Sequence, residues 1–184
     1  MKRILWLFGL LMMLSLISST VLAQTRTRDP LTDAEVDQMR EAADFPDKRL
    51  ALMIRFAKER IAMTGILRGD PPSETRPKQI HDYLQDFIAI LDETDDNIDM
   101  YGSHHSDMRK GLKLLIEADS EWQLNLRQLK EQSPADELQQ YSFVLANAID
   151  TVADSAKTAR EALQEQNQLA AEKKLNKVYS ERKD

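Results

Sequence analysis

Apolar residues recur along this chain at alternating steps of four and three, and that rhythm restricts the fold more than any other feature. Ile80, Leu84, Phe87, Leu91, Thr94, Ile98 and Tyr101 form one series. Met108, Leu112, Leu115, Asp119, Trp122, Leu126 and Leu129 form a second, and Leu138, Ser142, Leu145, Ile149, Val152, Ala156, Ala159 and Leu163 a third. A mean period near 3.5 residues keeps one helical face against neighbours that cross at shallow angles, as in coiled coils and bundles. No stretch shows the strict alternation of a half-buried strand.

The breaks in the rhythm divide the chain into helices. Thr32-Asp33-Ala34-Glu35 is a capping box, with Leu31 placed to staple onto Val36, and it opens a short first helix over about 33–43. Pro46 disfavours helix in the residue before it and restarts the chain. The second helix, about 46–67, carries Leu50, Ile54, Ala57, Ile61 and Thr64, and Gly65, Gly69 and Pro71-Pro72 end it. A third helix spans about 77–100 and breaks at Gly102-Ser103, and a fourth spans about 104–131. Ser133-Pro134-Ala135-Asp136 then reads as an N-cap and a first-turn proline for a fifth. Short loops set successive helices antiparallel. The expected fold is therefore all-α: an antiparallel four-helix-type bundle of about five helices, the first short, with coiled-coil-like packing.

Residues 1–23 have the three parts of an export signal. Lys2 and Arg3 precede an apolar run from Ile4 to Ile17, and Ser18 to Ala23 supplies small residues for cleavage after Ala23. The rival reading is an uncleaved anchor, because about 20 residues suffice to span a bilayer. Membrane association is expected only through this segment if it is kept. A polar, disordered leader is expected over 24–31, the bundle over 32–170, and a charged helical or frayed tail over 171–184. Such a chain is expected to be bacterial and to reside in the periplasm or be secreted.

Composition removes several functions. The chain has no cysteine, which excludes disulfides, thiol catalysis, cysteine zinc sites and CxxCH haem attachment. Without Lys2 and Arg3 it has 23 basic residues against 31 acidic, a net −8, which argues against a nucleic-acid partner. No GxSxG elbow and no glycine-rich phosphate loop is present.

Oxygen and imidazole ligands concentrate in one place, at Asp92, Asp95, Asp96, Asp99, His104, His105 and Asp107. Three of these carboxylates share a helical face, and the two histidines follow the end of that helix, a donor set suited to a divalent transition metal. The competing reading is a solvated ion-paired face. The second helix is rich in Lys and Arg, and antiparallel packing would bring Lys48 and Arg49 beside Asp95 to Asp99. His105 and Asp119 both fall on the extended stripe of the fourth helix. A carboxylate there needs a partner, and Arg127, Tyr83, Tyr141 or a basic residue of the second helix is the expected one. No catalytic signature emerges, so the expectation is a non-catalytic structural or interaction protein that binds an unknown protein partner or itself. A binder of metal or a small ligand through 92–107 is the alternative.

Overall fold

The structure, a computed structural model, describes residues 28–182, so the expected export signal lies outside the described residues. Five helices follow one another: α1 (Asp33–Glu41), α2 (Pro46–Gly69), α3 (Arg76–Ser103), α4 (Arg109–Gln132) and α5 (Ala135–Glu181). The all-α bundle expected from the sequence is what forms.

The start of α1 is the predicted capping box. The Glu35 amide donates to Thr32 Oγ1 (3.3 Å), and the Thr32 amide donates to Glu35 Oε2 (2.7 Å). Pro46 occupies the first turn of α2, where its missing N–H costs nothing. Two predicted boundaries move. Gly102 does not break α3, which runs on to Ser103 and closes with His105 in the left-handed region at φ 54°. The Ser106 amide donates to the Tyr101 carbonyl (3.0 Å) and the His105 amide to that of Gly102 (2.9 Å), the double bond of a Schellman closure. Accordingly α4 starts at Arg109 rather than 104. Ser133 does not cap α5. Its hydroxyl donates backwards to the Leu129 carbonyl (2.5 Å) at the end of α4.

Polar contacts give the register. Arg49 meets Asn97 and Arg60 meets Asp86, so an advance along α2 matches a retreat along α3 and the two are antiparallel. Asp47 accepts from the Gly111 amide and Lys58 pairs with Glu121, at nearly constant offset, so α2 and α4 run parallel. Arg76 with Glu137 and Asp95 with Ser155 make α3 and α5 parallel in the same way. The side-by-side pairs are α2/α3, α3/α5, α5/α4 and α4/α2, which leaves α3 and α4 across the diagonal. Consecutive helices are antiparallel as expected, but the five-residue turn from His104 to Met108 crosses the bundle instead of joining neighbours.

Side chains fill the centre that this crossing creates. Phe87 of α3 and Trp122 of α4 meet edge to face, with centroids 5.4 Å apart and planes at 82°. Leu50, Leu84, Leu91, Leu112, Leu115, Tyr141, Ala148, Val152 and Ala159 are buried around them. The parallel pair α2/α4 approaches closely at Gly111, where an added Cβ would lie 2.8 Å from Leu50 Cβ. Asp47 meanwhile caps the first turn of α4 through the Gly111 amide (2.8 Å).

α1 and the end of the leader lie against this bundle. Arg60 of α2 donates to Glu35 Oε1 (2.9 Å) and Oε2 (2.6 Å) and to the Pro30 carbonyl (2.7 Å), and Arg28 pairs with buried Asp86. Residues 28–31, expected as part of a disordered leader, are thus tied down. The Arg28–Asp86 pair and the bond from Arg60 to the Pro30 carbonyl hold them there.

Candidate functional site

The seven residues singled out as metal ligands spread over three surroundings. Asp95 turns toward α5, where it accepts from Ser155 Oγ (3.1 Å). Asp92, Asp96 and Asp99 lie exposed along the flank of α3 beside α5. The Arg49 of α2 that was expected near them bonds Asn97 (2.7 Å) and pairs with Glu93 (3.7 Å) instead, on the other side of α3. Beyond the helix end, His104 is exposed and its Nδ1 lies 2.8 Å from the Met100 carbonyl, which also accepts from Ser103 Oγ (2.7 Å). Asp107 is taken by Arg109 in a two-bonded pair (2.9 and 2.6 Å), which holds its carboxyl down at about 2. Among the described residues no group of three or more His, Asp or Glu is drawn together closely enough to hold a metal ion. The ion-paired face expected between α2 and α3 is likewise partial: Glu93 and Asp86 pair, whereas Asp92, Asp95, Asp96 and Asp99 form no ion pair among the described residues.

Asp99, His105 and Asp107 do share a cleft of about 390 Å3 between the α3–α4 turn and α5, together with Glu165 and Lys173. Ile98, Ala162, Leu169 and Ala170 provide its apolar wall. Gln166 holds the turn in place. Its Nε2 donates to the Ser106 carbonyl (2.7 Å), and its Oε1 accepts from the Met108 amide (3.0 Å). The 4-3 series ends at Leu163, and nothing in the sequence marks this clamp, since a single glutamine carries no periodic signal. His105 was expected on the stripe of the fourth helix. It lies exposed in the turn because α4 begins only at Arg109.

Asp119 meets the opposite fate, being wholly buried on α4 with neither oxygen hydrogen-bonded. None of the partners expected for it serves. Burial pushes its carboxyl up to about 7, against the pull of Arg160 on α5 and with the help of Asp95 across the core. Asp95 is itself pushed up to about 6, first by burial and then by Asp92, Asp99 and Asp154, with Ser155 acting the other way. Below about pH 6 protonation rather than pairing keeps Asp119 from becoming an unpaired buried charge.

At the far end of α5 the helix outruns the bundle. Gln166 is level with the start of α4, and residues 171–179 are exposed all round. Leu175 is 55% exposed and Tyr179 59%, with Val178 beside them at 39%, at the spacing of one helical face.

No family model, curated protein or solved structure matches this chain. Among the described residues no helix is long and apolar enough to cross a membrane.

Proposed function

We propose that this is a non-catalytic interaction protein, acting in the periplasm or outside the cell, whose bundle is a rigid mount for the projecting end of α5. The observation that supports this reading is the continuation of α5 past its last packed turn while it still carries an apolar stripe of Leu175, Val178 and Tyr179. Large apolar groups left on one unpartnered helical face are the feature by which a helix docks on another surface. Such an arm does not have to nucleate. The extension propagates from a packed helix and avoids the cost that makes isolated short helices marginal. The export part of the reading rests on residues 1–23 alone.

A photoreactive side chain placed at Tyr179, and separately at exposed Glu117 on the bundle, tests the reading in the producing cell. Docking through α5 requires cross-linked products that form from position 179 and not from 117. Equal products from both positions, or none from 179, reject it.

A further inference from the structure

We propose that the basic end of α5 docks on the acidic α3/α5 flank of a second copy of this chain. The inference rests on the docking role of α5 and names its partner.

Charge is divided unequally along the molecule. Residues 28–170 contain 28 acidic and 17 basic residues, whereas 171–184 contain five basic and three acidic. The acidic surplus is not spread evenly. Glu35, Asp86, Glu93, Asp107, Glu121 and Glu137 all have an arginine or lysine partner. Asp92, Asp96 and Asp99 of α3 and Asp150 and Asp154 of α5 are exposed and form no ion pair among the described residues. The surroundings of Asp92 and Asp95 show the same thing, since every charged neighbour that acts on them is another aspartate. Among the described residues the flank thus presents negative charge that no ion pair balances.

The end of α5 has the complementary character. Arg182 lies on the face that carries Leu175, Val178 and Tyr179, Lys174 and Glu172 border it on either side, and Lys173 on the opposite side contributes to the net positive charge of the arm. Lys174 and Arg182 are separated by about 12 Å along the axis and Asp92 and Asp99 by about 10 Å, so one helix laid along the flank can satisfy both ends. Met100, 43% exposed, adjoins Asp96 and Asp99 and offers the stripe an apolar contact.

Two alternatives fail on geometry and charge. Beyond Lys173, which lines the cleft that Asp99 also lines, the tail cannot reach its own flank, because α5 is one continuous helix that leads away from it and Lys174 lies about 30 Å beyond Asp154. Two tails packed in parallel would set lysines against lysines, which is repulsive, and packed antiparallel they would leave the acidic flank uncovered. A second copy supplies the flank without either difficulty, and reciprocal exchange of arms between two copies closes the assembly.

The absence of cysteine makes the test direct, since introduced cysteines are unique labelling sites. Full-length chains labelled at A153C, beside the flank, are mixed with chains labelled at N176C, on the arm, in mild detergent that prevents association through residues 4–17. Energy transfer between the two labels should rise with concentration and fall as salt is raised. Reversal of the arm (K173E, K174E, R182E) or of the flank (D92K, D96K, D99K) should weaken the association about tenfold or more, and melting temperatures unchanged from the parent show that the variants are folded. Mixing the arm-reversed with the flank-reversed chain should restore transfer, because each then meets an opposite charge. Transfer that ignores both reversals overturns the proposal, as does its absence at every concentration. In that last case cross-links from position 179 would preserve the docking role with a different partner, and their absence would remove the role as well.

Discussion

Asp119 shows how far one residue can set the behaviour of the bundle. Unfolded, its carboxyl ionises near 4, whereas in the folded chain it ionises only near 7. The folded state therefore binds the extra proton between these values, and stability falls as pH rises from about 4 to about 7, with the full penalty present above that. Asp95, pushed up to about 6, contributes with the same sign. D119N should raise stability at pH 8 by on the order of 2 kcal/mol and change it little at pH 4.5, measured by denaturant unfolding at both. An equal effect at the two pH values would show that desolvated charge is not what the site costs. The sequence placed Asp119 on the buried stripe but not its neighbours, because the approach of α3 and α5 is what removes its water. His105 failed in the opposite direction. Gly102 looks like the helix breaker, yet the left-handed position falls three residues later on a histidine, and no periodic signal marks a closure made by backbone bonds.

At the scale of elements, α1 is the least secured helix and also the most legible. Its capping box was readable as Thr32 and Glu35 at the right spacing, because that motif is closed within four residues. What the sequence did not reveal is that Glu35 has a second task. Burial raises its carboxyl, but Arg60 hydrogen bonds and the Thr32 amide outweigh that and hold it below the usual range. Stability from this contact is present at neutral pH and is lost as pH falls through the lowered value. E35A should release α1 and residues 28–31 together. Their amides should exchange about tenfold faster or more while those of α2 to α5 keep their protection. Exchange that accelerates throughout would mean that α1 is part of the cooperative core instead of a tethered addition.

For the molecule as a whole, the division is between a packed bundle and a projecting arm. The 4-3 stripe of α5 ends at Leu163, but Gln166 clamps the α3–α4 turn and Leu169 and Ala170 still wall the cleft. A chain ending at Ala170 should keep its melting temperature to within a few degrees, because residues 171–179 bury almost nothing. It should also lose the concentration-dependent association. A large drop in melting temperature would show that the arm supports the bundle. By itself the sequence determined the helices, their approximate ends and the faces they bury, because a 4-3 rhythm, proline, glycine and capping motifs act within a few residues. Tertiary structure alone decided that α3 and α4 lie across the diagonal, that Asp119 is sealed in the centre while half-buried Asp95 turns to Ser155, and that Asp92, Asp96 and Asp99 face away from the arginines of α2. Those outcomes depend on which helices become neighbours, and helices with equivalent apolar stripes do not encode that order in their periodicity.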